Sequence, residues 1–337
     1  MKAVILLLSI TIASLSNSVF ANTPQKGKMT GGIMHSLPGW FKQSFLNFND
    51  DVDEAKEEAR HILMFMDLNG CPYCTRMLRE NFHKGETMEF IKKHFDSIGV
   101  NVRGSREVTW IDQKTYTEKE LALKMKVVGT PTMVFISPEG KKVLQLNGYR
   151  TPKTFRYALE YVQSKTYKKQ SLSDYIETRQ KKAVYTFRSH PRFEKVTNFS
   201  GYKKLLAVVF EDKNCADCDG FHNTVFNHPD VLEELKPYRV VRLDAYSSSP
   251  IVDINGKKTT PRKWASSLKL SHRPGIVFFD EGKEASRLEG RFYHFHFKEM
   301  LRFVSGKHYQ HFDRFGAYLQ DRQPKLLEQG VNIYLGE

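Results

Sequence analysis

The sequence predicts an α/β protein made of two tandem copies of one fold, each a mixed sheet flanked by helices. Three observations carry this expectation. The chain has 337 residues, enough for two domains at ~100–200 residues each. It repeats itself: His61–Asp67 followed by Cys71-Pro72-Tyr73-Cys74 returns as Leu205–Glu211 followed by Cys215-Ala216-Asp217-Cys218. A Pro-led apolar strand also recurs, Pro131 before Thr132–Ile136 and Pro274 before Gly275–Phe279. The two copies stay in register, with offsets of 144 at the first Cys, 143 at the Pro and 142 at Gly148 and Gly290. So little drift over a whole copy marks a duplication.

The ends and the middle are read first. Met1-Lys2, the apolar run Val4–Ile12 and Ser18-Val19-Phe20-Ala21 have the form of a secretory signal cleaved after Ala21. The apolar run is far short of the ~20 residues that span a bilayer. The sequence thus divides into a signal peptide (1–21), an extension (22–50), a first domain (51–167), a basic linker with a helix (168–198), a second domain (199–308) and a helical tail (309–337). In the extension, Trp40, Phe41, Phe45 and Phe48 follow a helical spacing and are expected to pack onto the first domain. Residues 164–204 hold eleven Lys or Arg against three Asp or Glu. That excess reads as a solvated linker, with a helical middle (172–187) anchored by Tyr175, Ile176 and Tyr185, and a docking surface for an acidic partner or anionic lipid heads as the functional alternative.

Within each copy the order is strand, Cys pair, helix, strand, helix, Pro, strand, turn, strand, helix. Helices are expected at Thr75–Phe82 and Asp219–Phe226, at Glu118–Lys126 and Lys263–Leu268, and at Pro152–Gln163 and Phe297–Val304. Middle strands are expected around Val100–Val102 and Tyr238–Leu243. A strand–helix–strand start followed by a hairpin and a helix makes a sheet sandwiched by helices.

Composition narrows the function. Hydrophobic residues make up 40% and charged residues 27%, which excludes a disordered chain. Four Cys in two close pairs exclude a disulfide-dense scaffold. The net charge of +14 would fit nucleic acid, but an exported chain does not meet it. Export to the periplasm places the Cys pairs where disulfides persist.

Two Cys separated by two residues at a helix start can close a disulfide. The first is set where free backbone N–H groups and the helix dipole favour a thiolate, and the second can resolve a mixed disulfide. Pro72 suits the first helical turn. A Pro that opens a strand beside such a pair is expected to be cis, which turns the Thr130 backbone toward the sulfur and toward an extended substrate. Asp67 and Glu211, each four residues before a Cys, are candidate acid/base groups beside the resolving thiol, against a reading as surface carboxylates. In the second copy Asp217, Asp212 and Asp219 surround the pair, and Arg273 is expected to face Cys215 and offset them.

Strand, Cys pair, helix and a distant Thr-Pro before a strand resemble the thioredoxin superfamily. The first half (Gly70-Cys71-Pro72-Tyr73-Cys74, Arg106-Glu107-Val108, Thr117–Ala122, Val128-Gly129-Thr130-Pro131-Thr132) is similar to the SoxW-like, thioredoxin-related exported proteins of bacteria. The resemblance covers about 40–165 well and about 199–306 more loosely. It implies thiol–disulfide exchange with protein clients through Cys71 as nucleophile, Cys74 as resolving thiol and Pro131 as the cis-Pro. It implies no cofactor, and an electron donor in the membrane or periplasm. Cys215, Cys218 and Pro274 form the second set, whether redox-active, relay or structural. One departure is plain: the position six before the first Cys, where thioredoxins keep a buried Asp, is Phe65 here and Val209 in the second copy. Two further readings stay open, thiol-based binding of copper or zinc and a redox-inert scaffold. For the metal reading, His222, His228 and His272 lie near the second pair or its Pro, and His294 and His296 would share one face of a strand; surface positions are the plainer expectation.

Overall fold

The computed structural model describes residues 25–180, 182–290 and 292–336. The segment read as a signal peptide lies outside them. Among the described residues two large sheets form, and both put the strand that leads to the Cys pair in the interior of the sheet. In the first half β1 (His61–Asp67), β2 (Phe95–Asn101), β3 (Thr132–Ile136) and β4 (Lys142–Asn147) lie in the order β2-β1-β3-β4. The β1–β2 pair is parallel; the other two pairs are antiparallel. In the second half β5 (Phe193–Glu194), β6 (Leu206–Glu211), β7 (Arg239–Asp244), β8 (Gly275–Asp280) and β9 (Lys283–Glu289) lie in the order β9-β8-β6-β7-β5. The second sheet is therefore the first with one edge strand added. That strand comes from the stretch read as linker, so the second sheet starts earlier in the chain than expected.

The continuous apolar runs of β1 and β6 follow from their central place, with helices covering both faces. Side chains alternate across a strand. Leu63 and Phe65 enter one core, and Ile62, Met64 and Met66 the core on the opposite face. In β6, Ala207 and Val209 go one way and Leu206, Val208 and Phe210 the other. Phe65, in the place expected for a buried Asp, is thus an apolar core residue packed on Phe41 and Phe82.

Several elements differ from expectation. No helix forms across Trp40–Phe45; the first helix starts at Phe48, and Phe45 is fully exposed. The rest of the aromatic set does pack, with Trp40 and Phe41 beside Phe82. Short hairpins (Glu107–Thr109 with Thr115–Thr117, Ile251–Val252 with Lys258–Thr259) precede the helices Glu118–Lys124 and Pro261–Ser267. Two or three residues per strand give too little alternation to read. After Cys218–Gly220 the helix widens into a π turn over Phe221–Phe226. His294–Ser305 is a helix, so His294 and His296 do not alternate on a strand.

The linker is not simply solvated. Its helix, Leu172–Arg179, buries Leu172 and Tyr175, and its Asp174 and Glu177 pair with Arg262 of the second half. The extension is also tied down: Met29–Thr30 pairs in parallel with Ile333–Tyr334, joining the two ends of the chain.

The halves meet about a local two-fold axis. A Cβ on Gly148 would lie 2.9 Å from the Glu289 carbonyl, and one on Gly290 would lie 3.2 Å from the Asn147 carbonyl. Equivalent glycines thus lie against each other, residue i on j and j on i, as in a symmetric dimer interface.

Candidate functional site

Cys71 caps the helix Pro72–Asn81: its Sγ accepts a hydrogen bond from the Cys74 backbone N–H at 3.2 Å, and Pro72 fills the first turn. No acidic residue stands in that turn, so nothing on the helix opposes a thiolate. The Cys71 thiol also points at the Thr130 carbonyl, 3.4 Å away, and the Thr130–Pro131 bond is cis. Burial works against ionisation of Cys71. Hydrogen bonds from Cys74, from the Thr130 side chain and from the helix-start backbone outweigh it, and the thiol lies below its ordinary range. Cys74 is driven the other way, well above the ordinary range, by burial and by its hydrogen bond to Cys71. The two sulfurs, both free thiols, thus differ as an attacking and a resolving group must.

Cys71 is 8% exposed and Cys74 fully buried. Their cover is the other half of the molecule. A cavity of about 270 Å³ lies over Cys71, walled by Leu68 and Val128 on one side and by Phe292, Phe315, Leu319 and Leu335 on the other. Tyr73, between the two cysteines, stacks on Tyr293 with ring centres 4.6 Å apart. Its hydroxyl oxygen accepts from the Tyr293 backbone N–H at 2.8 Å and lies 3.1 Å from His296 Nδ1.

Across the two-fold axis the second site shows the same relation. Cys215 and Cys218 form a disulfide, and the Arg273–Pro274 bond is cis. The cavity beside them is only about 50 Å³, walled by Thr154, Tyr157, Ser173 and Ile176 of the first half and linker. Asp217 takes the place of Tyr73 and lies 3.2 Å from His272. The fully buried Arg150 sits close by, donating to the Asn147 and Tyr149 carbonyls; burial pulls its pKa down to about 10.

The strand-end carboxylates are not at the surface. Asp67 is buried and bonded through Oδ2 to His35 Nε2 at 2.7 Å. Glu211 is fully buried; it accepts from the Tyr185 hydroxyl at 2.9 Å and pairs with His222 Nε2 at 2.7 Å. Each carboxylate therefore holds a histidine. Arg273 lines the second cavity beside Cys215, but its guanidinium is committed to Asp212 at 3.0 Å and to the His272 carbonyl at 2.9 Å. Burial raises the Asp212 pKa against the pull of Arg273.

The histidines weighed as metal ligands are spread out. His222 and His272 are buried, His296 is half-buried at the Cys71 cavity, and His228 stacks on His294. Burial lowers His272 and His296 to about 4. Among the described residues no group of three or more His, Cys, Asp or Glu is placed to hold a metal ion.

Sequence reasoning missed His35, Arg150, the bond of Tyr185 to Glu211, and the contacts of Tyr73 with Tyr293 and His296. Each belongs to its site only through contacts distant in the chain.

A family model of the thioredoxin-like domain matches residues 48–163 and again 193–305, together more than half of the chain. No curated protein matches it. Among solved structures, a thioredoxin-fold protein from Helicobacter pylori is 23% identical, with a TM-score of 0.33, over 39% of this chain and 98% of that one. A thioredoxin from Thermus thermophilus is 24% identical, with a TM-score of 0.29, over 34% and 83%. A disulphide isomerase from Xylella fastidiosa Temecula1 is 18% identical, with a TM-score of 0.24, over 33% and 79%.

Proposed function

Because the chain belongs to the thioredoxin-like domain family, we propose that it is an exported thiol–disulfide oxidoreductase, of the SoxW-like kind, acting on protein cysteines through a mixed disulfide at Cys71. The observation that carries this reading is a split in the placement of the two thiols: Cys71 Sγ caps its helix, accepting from the Cys74 N–H at 3.2 Å and lying 3.4 Å from the Thr130 carbonyl before the cis Pro131, whereas Cys74 is fully buried behind it.

The chemistry follows from that split. The Cys71 thiolate attacks one sulfur of a client disulfide. The Cys71–client bond forms, the client S–S bond breaks, and the electron pair leaves on the departing client sulfur, which takes up a proton. Cys74 then loses its proton and attacks Cys71 Sγ. The Cys71–Cys74 disulfide forms and the second client sulfur leaves and is protonated. One dithiol has been oxidised and one client disulfide reduced; oxidation of a client dithiol runs through the same atoms in reverse. The high pKa of Cys74 keeps it from competing as first nucleophile. The second pair, as a disulfide beside a cavity too small for a peptide, serves structure in this reading.

Cys74→Ser removes the resolving thiol and leaves Cys71. Expressed in an exporting host, it accumulates client adducts that run as high-mass bands on a non-reducing gel and vanish with dithiothreitol. The double variant with Cys71→Ser gives none. Absence of adducts from Cys74→Ser defeats protein-directed exchange at this site.

A further inference from the structure

The geometry points to His35 as a positioning residue for the exchange reaction: an imidazole, brought in by the N-terminal extension and tied both to Asp67 and to the first turn of the helix that Cys71 caps, that favours the attacking form of Cys71. This rests on Cys71 being the attacking thiol.

The arrangement is built from three contacts. His35 Nε2 is 2.7 Å from Asp67 Oδ2 at the end of β1. His35 Nδ1 is 3.2 Å from Thr75 Oγ1, in the first turn of the helix that Cys71 caps. Thr75 Oγ1 also lies 3.3 Å from the Cys71 carbonyl and 3.0 Å from that of Ile33. One hydroxyl thus ties the extension, the helix start and the imidazole together. The ring is nearly shut off from water, with a side-chain exposure of 5%. Both ring nitrogens have oxygen partners, so a doubly protonated ring satisfies every contact, with Nε2–H donating to the carboxylate and Nδ1–H to the hydroxyl.

Electrostatics agrees with the geometry. The hydrogen bond to Asp67 raises the His35 pKa against the cost of burial, and the Cys71 charge raises it further. By reciprocity, whatever favours His35 protonation through Cys71 favours Cys71 ionisation through His35. His35 keeps its proton and makes no covalent bond; the proton lost from Cys71 goes to water.

The device lies outside the domain fold. His35 precedes residue 48, where the first family match begins. The second copy solves the same carboxylate differently, with His222 from its own π turn and Tyr185 from the linker.

Other ionisable groups face Cys71 and contribute a background. Cys74 and Tyr73 come from its own helix, Arg103, Arg287, Glu289 and His296 line the cavity above it, and Asp67 is the carboxylate bonded to His35 itself. The test isolates His35 from these. In the reduced full chain, the rate of Cys71 alkylation by iodoacetamide is followed from pH 4 to 10 by peptide mass spectrometry. His35→Asn keeps a polar group without the charge. It is expected to move the alkylation midpoint upward by about one unit, a ~10-fold loss of rate at pH 6, with circular dichroism unchanged. A superimposable profile overturns the proposal. A second measurement needs no change at His35: its ring pKa is read by NMR in the reduced wild type and in Cys71→Ala. The proposal requires the pKa to fall in Cys71→Ala; an unchanged pKa overturns it. If wild-type Cys71 fails to alkylate at any pH, the exchange reading itself fails, while the NMR comparison still reports on the coupling.

Discussion

At the scale of single residues, the site is a matter of which neighbour each polar atom finds. The Cys pair and the Thr-Pro motif could be read because their chemistry needs fixed residue types at short spacing. The partners of Asp67 and Glu211 could not. His35 is 32 positions from Asp67, and no periodicity links an irregular extension to a strand end. Glu211 and His222 are eleven apart, but only the π turn after Cys218 brings them together. The role of Tyr73 was equally hidden, since a residue inside a Cys pair normally faces solvent or substrate, and here it meets the other half. Tyr73→Phe keeps the ring stack on Tyr293 and removes the hydroxyl oxygen that accepts from the buried Tyr293 N–H. A hydrogen bond is worth a net ~0.5–1.5 kcal/mol, so this variant should unfold at lower denaturant. A midpoint equal to wild type, with the slope unchanged, would show that the hydroxyl carries nothing across the interface.

At the scale of elements, the long runs were legible and the short ones were not. β1, β6 and β8 are uninterrupted apolar runs next to a turn, a pattern that only a central strand needs. The helix Pro152–Gln163 declares itself by Thr151 as cap and Pro152 in the first turn. In the linker, charge dominates the composition, yet Tyr175 and Tyr185 are buried as the anchoring residues expected of its helical middle, and Leu172 is buried with them. The loop after β4 and its counterpart after β9 carry the two-fold contact. Gly148 holds φ at +83°, and a Cβ there would sit 2.9 Å from the Glu289 carbonyl. Gly148→Ala therefore adds two faults, a left-handed backbone cost and a wedge between halves. Gly140, at φ +70° and with only ordinary contacts, bears the first fault alone. Gly148→Ala should raise the radius of gyration in small-angle X-ray scattering and speed Cys71 alkylation, whereas Gly140→Ala should change neither. Equal behaviour of the two variants would mean that backbone strain, not contact between halves, accounts for the effect.

At the scale of the whole molecule, the duplication makes a pseudo-dimer in which each Cys pair faces the other half. The Cys71 cavity is roomy, about 270 Å³, and the Cys215 cavity small, about 50 Å³, so one fold carries two sites with different access. This was not legible in the sequence: the repeat showed that two copies exist, but nothing local says how they dock. The interface is pH-sensitive by construction. Burial lowers His272 and His296, which lie in it, to about 4, and His61, away from the interface in the first half, to about 4 as well. The unfolded chain binds those protons from about pH 6.5 downward, so stability is lost as pH falls from there toward 4. The raised pKa of His35 works in the opposite sense: its contribution is complete below about pH 6.5 and fades as pH rises through its folded value. Three groups outweigh one, and the melting temperature should drop between pH 6.5 and 4; a flat profile would contradict the burial of these rings. The central claim, that Cys71 is the attacking sulfur, is tested most directly by partial alkylation of the reduced protein with a limiting amount of iodoacetamide, followed by peptide mapping. Label should appear first on Cys71, with a midpoint below the ordinary thiol range, and reach Cys74 only after denaturation. Label arriving first on Cys74, or on neither sulfur until the protein is unfolded, would contradict the account.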